Sequence, residues 1–493
     1  MTNRFSRVAE IALLAVYMAA LAAVLGRHEP WVDEVRAWQV VRDSHGIGDL
    51  LAREHYELHP ALWYLSLYAV DLMHGGIGGM QAAHWLFASA AAVILFRSPF
   101  PLWLRASLPA SYVLFYEYGV VSRNYAPGVL FLLAACALSR DRSKGLFAAA
   151  AALFLAAQCN LFAWLIAGVF GVMLLGRSVV RLRARRDGPT ARQTLGAACV
   201  LVAGLAISMA QMLPPRDFAS PIERAPLSGM ELIASLSRIA RGLIAVPVPE
   251  VHFWNTSLIA ASCGAAGAAA LGIALAVLAG YLLRNRPFAF CFYALAMAVL
   301  TAASFVMETR AARHIDHYFI VLIMAMWLAE DRDGSETPLG RGRTALLASL
   351  AALQIVGAGI AVWYDWRLPF DQSGAAAACI RAAGLQDKPI FGYEDYNASA
   401  VGAYLGRPIY YPQSGRTETF VRQIQGRAPK LPPRQLASSL AGFIAAHPGG
   451  SVVVLSPACP VPRNNPRIRV LGEFGEPCIT GITYTVVQIL PGS

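Results

Sequence analysis

The chain has 493 residues, of which 57% are hydrophobic and only 14% charged. A soluble domain carries roughly 25% charged residues, so a chain wholly soluble in water is excluded. The net charge of +11 does not point to nucleic acid, because the basic residues sit in short loops between apolar blocks.

Apolar blocks about as long as a bilayer is thick predict membrane-crossing helices. In chain order they fall near 9–26, 81–96, 104–118, 125–139, 145–157, 160–176, 195–213, 257–283, 287–307, 315–329 and 344–363. The first follows Arg4 and Arg7 and is read as an uncleaved helix rather than a signal peptide. The segment 60–74 is short for a span and is read as an interfacial helix. The loops at 97–105, 140–144, 177–193, 284–286 and 331–343 are all basic, as is the N-terminus. One alternation puts them all on the cytoplasmic side. Loop 27–59, turn 118–124, loop 214–256, turn 308–314 and the tail after 363 then face the other side.

Short β-like runs at Pro389–Gly392, Ser451–Leu455 and Ile482–Ile489 mark the tail. With helical stretches at Ala375–Ala383 and Leu436–Ala446, they predict a small soluble α/β domain. The fold expected is an all-α polytopic membrane protein of about eleven spans. Residues 1–363 form its membrane domain and 364–493 its extracytoplasmic α/β domain. If the tail lies outside the cytoplasm, Cys459–Cys478 is a candidate disulfide, with free thiols as the alternative. No zinc-finger spacing occurs.

The chemistry-bearing residues cluster at the ends of these helices. The first outer loop reads Trp31-Val32-Asp33-Glu34-Val35-Arg36 and continues to Tyr56-Glu57-Leu58-His59-Pro60-Ala61-Leu62-Trp63-Tyr64. Later come Tyr116-Glu117-Tyr118, Ser122-Arg123-Asn124-Tyr125 and Arg313-His314. The bland readings are a helix N-cap for Asp33-Glu34, an ion pair between Glu117 and Arg123, headgroup anchors for the arginines and an interfacial belt for the aromatics.

These residues, over about 9–330, resemble the GT-C superfamily of polyprenyl-phosphate-sugar glycosyltransferases. Its relatives include protein O-mannosyltransferases, aminoarabinose transferases and lipopolysaccharide core galacturonosyltransferases. Asp33-Glu34 and the His59-Pro60 segment carry the likeness most; the family's second proline is Ala61 here. The resemblance implies a membrane transferase, inverting, in a bacterial inner membrane. It would move a sugar from a polyprenyl-phosphate donor to an envelope glycolipid, polysaccharide or protein. Asp33, with Glu34 second, would be the catalytic base. Glu57, His59, Glu117, Arg123, Tyr125, Arg313 and His314 would bind substrate, the arginines through phosphate. Arg310 and His317 are secondary candidates. No cofactor is required; a divalent metal on Asp33, Glu57 and His59 stands as an alternative. Loop 214–256 reads either as a gate over the site or as a plain connector with an amphipathic helix at Met230–Ala245. A rival from another class is a transporter or lipid flippase. It calls for ionisable residues at mid-span in matching halves, whereas here they gather at one face. A non-catalytic scaffold is a third reading.

Overall fold

The computed structural model describes residues 2–140, 145–185, 188–219, 228–307, 309, 311–330, 338–428, 430–458 and 465–491. Seven of its helices are long and apolar enough to cross a membrane: Arg7–Leu25, Gly76–Phe96, Leu161–Arg183, Ala191–Met212, Leu258–Leu283, Pro287–Met307 and Gly340–Arg367. Leu62–Leu72, Tyr125–Leu138 and Gly145–Ala157 are shorter apolar helices. Large apolar side chains point outward from these elements, including Ile11, Leu195 and Val277. Such a surface is stable in lipid and a liability in water.

At the centre lies His317–Ala329, apolar on every side and buried almost throughout. A helix with no polar face has to be enclosed by others. Here the Pro287–Met307, Leu161–Arg183 and Tyr125–Leu138 helices pack against it.

The span expected at 104–118 is corrected. It is not one helix but a short helix Leu102–Ser107 and a separate helical turn Tyr112–Glu117. Pro109 lies between them; it lacks the backbone donor needed to carry the helical hydrogen-bond ladder onward. The break places Tyr112, Tyr116 and Glu117 in the interior.

The tail folds into a six-stranded sheet of β1 (Ile390–Tyr393), β2 (Ile409–Tyr411), β3 (Arg416–Glu418), β4 (Ser451–Leu455), β5 (Ile468–Phe474) and β6 (Tyr484–Ile489). The order is β3-β2-β1-β4-β6-β5, with β1 parallel to both β2 and β4. Alternation along β4 sorts its side chains between the faces. Val452 and Val454 pack with Ala376, Ile380 and Val401 of the helices Ser373–Ala382 and Asp395–Leu405. Val453 packs with Phe443 of the helix Pro433–Ala446 on the other face. Cys478 is buried; Cys459 and Arg310 lie outside the described residues.

The sheet domain is docked firmly. Its helix Asp395–Leu405 lies on the helix Val32–Arg42, with Ala400 and Ala403 against Val32 and Val35. Gln39 Nε2 donates to the carbonyls of Ser399 (2.9 Å) and Thr419 (2.6 Å). Tyr404 donates to the Pro30 carbonyl at 2.8 Å. The Gly374 amide donates to Glu29 Oε1 at 2.8 Å, and a Cβ at Gly374 would lie 2.6 Å from that oxygen, so a larger residue there would displace the Glu29 carboxylate. The membrane helix itself continues to Arg367.

Candidate active site

Three segments meet at one end of the helical bundle. The helix Val32–Arg42 follows the first span, residues 118–124 precede the helix Tyr125–Leu138, and the turn Ala312–Ile315 follows the span Pro287–Met307. Glu34 ties two of them together. Its Oε2 accepts the Trp31 amide (3.1 Å), closing the start of the helix, and its Oε1 accepts the Ser122 amide (2.5 Å). His28 Nε2 lies 3.1 Å from the same Oε2 and its Nδ1 lies 2.8 Å from Asp365 Oδ2. Burial opposes the charged imidazolium, but Asp365 and Glu34 override it and raise the His28 pKa to about 10.

Asp33, one residue earlier, points the other way. Its Oδ2 lies 2.7 Å from Arg123 Nη1 and 3.2 Å from Arg313 Nη2. Its Oδ1 accepts a hydrogen bond from the Tyr396 hydroxyl of the sheet domain. Burial alone would raise its pKa; Arg123, then Arg313 and Tyr396, outweigh that and hold the carboxyl well below its usual range. One helical turn on, Arg36 gives Nε and Nη2 to Glu57 Oε1 at 2.9 and 2.8 Å. The Arg313 guanidinium lies 5.7 Å from the Trp31 ring and 6.0 Å from that of Trp254, within reach of both π-faces.

A cavity of about 280 Å³ opens beside Asp33 and its arginines. Asp33, Glu57, His59, Arg123, Tyr125, Arg313 and His314 all border it. Among the described residues no hydrogen bond or ion pair to His59 occurs. Burial and the Arg123 charge push its pKa to about 3 against the pull of Asp33, so it faces the cavity as a neutral imidazole. Tyr125 stacks on Tyr118 and His314 on Phe162, which fixes both rings.

Two candidates lie elsewhere. Glu34 does not border the cavity; both its oxygens are committed to the contacts above, which hold the start of its helix against the segment before Tyr125. Glu117 does not pair with Arg123. Its Oε2 accepts from Trp254 Nε1 (3.0 Å) and the Tyr112 hydroxyl (3.3 Å), behind the cavity wall. Asp33, Glu57 and His59 share the cavity but do not form a ligand set. Both carboxylates are held by guanidinium groups, and among the described residues no cluster of three or more His, Cys, Asp or Glu side chains is arranged to hold a metal.

Part of loop 214–256 roofs the site. Phe218 borders the cavity beside Gln423 of the sheet domain, and the two segments bond backbone to backbone, Ala219 to Gln423 (3.1 Å) and Gln425 to Asp217 (2.9 Å). The helix expected at Met230–Ala245 is Gly229–Leu243. Residues 220–227 lie outside the described ones. Arg36 and Tyr396 were not singled out from the sequence. Arg36 carried a usable signal, since three residues after Asp33 it shares a helix face with it. Tyr396 carried none.

No known family model and no curated protein matches the chain. Among solved structures it is similar to the crystal structure of ArnT from Cupriavidus metallidurans bound to undecaprenyl phosphate, with 14% identity, a TM-score of 0.43, and 98% of this chain and 99% of that one covered.

Proposed function

We propose that the protein is a membrane glycosyltransferase of the GT-C type. It moves a sugar from a polyprenyl-phosphate donor to an envelope acceptor, at the extracytoplasmic face of a bacterial inner membrane. The observation that carries this reading is Asp33 held between Arg123 and Arg313 in a cavity at the ends of membrane helices. Two guanidinium groups against one carboxylate leave one net positive charge; Arg36 and Glu57 cancel. A polyprenyl-phosphate sugar is a phosphodiester with one negative charge, which that excess balances. Arginine forks match the phosphate oxygens.

In the proposed reaction an acceptor hydroxyl or amine attacks the anomeric carbon. The bond from that carbon to the phosphate oxygen breaks, and the polyprenyl phosphate leaves with a second negative charge. Arg123 and Arg313 stabilise the charge that develops there. The acceptor's proton goes to Asp33. A single displacement of this kind inverts the anomeric centre.

The test is sugar transfer by the purified full-length protein, using radiolabelled polyprenyl-phosphate sugars and envelope acceptors, compared with Asp33→Asn. Equal transfer by the two proteins removes Asp33 from the chemistry and the reading with it.

A further inference from the structure

Tyr396 reaches the membrane domain from the sheet domain. It lies in the first turn of the helix Asp395–Leu405, and its hydroxyl donates to Oδ1 of an aspartate 363 positions earlier in the chain. Its place is built. Asp395 Oδ1 accepts the Tyr396 amide at 2.7 Å, and the other Asp395 oxygen accepts Arg427 Nε at 2.6 Å. The Tyr396 ring lies 5.6 Å from the Arg36 guanidinium. The rest of the helix is pinned to Val32–Arg42 through Gln39 and the small residues Ala400 and Ala403.

Resting on the glycosyl-transfer reading, we infer that Tyr396 is a positioning residue for that reaction, which makes the sheet domain part of the active site. Oδ2 of Asp33 faces both arginines. Oδ1 takes the tyrosine hydroxyl and keeps a lone pair for the acceptor's proton. When a lipid phosphate draws the arginines off Oδ2, Tyr396 is the one remaining hydrogen-bond partner of the carboxylate among the described residues. The Tyr396 hydrogen bond keeps Oδ1 aimed into the cavity. The charged and titratable groups around Asp33 are Arg36 on its own helix, Tyr56, Glu57 and His59 before Leu62, Tyr64, Arg123 and Tyr125, Arg313 and His314, and Tyr396 itself.

The experiment uses full-length protein in nanodiscs, with Tyr396→Phe, Tyr404→Phe and Asp33→Asn. Phenylalanine at 396 keeps the ring beside Arg36 and removes the donor. Tyr404 donates to Pro30 at the same seam without touching Asp33, so its variant reports on docking alone. For Tyr396→Phe, kcat falls roughly 10- to 100-fold, the worth of a hydrogen bond to a charged group, with KM for the donor unchanged. Loss of a donor raises a carboxylate's pKa, so the acid limb of its kcat profile moves to higher pH. Tyr404→Phe leaves that limb in place. A Tyr396→Phe enzyme with wild-type kcat and acid limb overturns the inference while an inactive Asp33→Asn leaves the transfer reading standing. The same displacement in Tyr404→Phe also overturns it, since docking would then be the cause. Full activity of Asp33→Asn overturns both.

Discussion

Asp33 Oδ2 and Arg123 Nη1 lie 2.7 Å apart, so the guanidinium proposed to bind phosphate is already matched by an anion of the chain. A lipid phosphate entering the cavity competes with that carboxylate. On the proposed reading the arrangement couples the two halves of the site: Asp33 is freed as the donor phosphate takes its arginines.

Competition of this kind makes Asp33→Asn separate binding from chemistry. Transfer falls by about 100-fold or more, the usual yield of a positioned base. Undecaprenyl phosphate binding, measured by equilibrium dialysis in nanodiscs, becomes tighter because the internal rival is gone. Weaker binding in the variant would show that Asp33 does not compete with the phosphate.

Arg123→Lys and Arg313→Lys keep the charge but lose the planar fork. An ammonium contacts phosphate as a point charge and does not span π-faces as Arg313 spans Trp31 and Trp254. Undecaprenyl phosphate affinity falls roughly 10-fold for each, in line with the loss of one charge-assisted hydrogen bond. Affinity equal to wild type in both lysine variants would mean that simple charge suffices.

The legible part of the site was the part built from local signals. Asp33, His59, Arg123 and Arg313 stand out because polar residues beside apolar blocks are costly to place there without purpose. Glu34 looked like a partner of Asp33, yet neighbours on a helix point about 100° apart, so only one of the two faces the cavity. Glu117 sits beside Arg123 in sequence but behind Trp254 in space, since the helix break after Pro109 turns it inward. In the sheet domain β4 was plain from its valine run. By contrast β2 and β3 have three residues each and no pattern to read, and β5 carries Arg469, Gly472 and Glu473 on an exposed edge. Tyr396 depends on the docking of two distant helices and no local rule reveals it.

Glu54 gives a pH-dependent prediction outside the cavity. It is buried, its Oε1 has no hydrogen-bond partner, and burial with the nearby Glu57 charge raises its pKa to about 9. The folded protein therefore keeps a proton that the unfolded chain releases above its ordinary value of 4.5. Stability is greatest below that value and declines as pH rises toward 9. Glu54→Gln needs no such proton, so thermal melts at pH 8 should show it more stable, by roughly 4 kcal/mol, since keeping the proton costs about 1.4 kcal/mol for each pH unit above the unfolded value. At pH 4.5 or below the difference should vanish; a difference independent of pH would refute the assignment.

His28 titrates in the same direction, but as a charged group rather than a neutral one. It is held as an imidazolium between Glu34 and Asp365, with its pKa raised from 6.5 to about 10. Its stabilisation is fully present below pH 6.5 and is lost as pH rises through 10. His28→Gln leaves two buried carboxylates facing each other and costs about 3–5 kcal/mol, as breaking a buried ion pair does. Thermal melts from pH 6 to 10 should show wild type converging on the variant at the alkaline end. Glu34 also holds the Ser122 amide and so the segment carrying Arg123. The variant should therefore lose undecaprenyl phosphate affinity at pH 6 although residue 28 does not border the cavity. Parallel melting curves across the whole range would rule out a charged His28 at this junction.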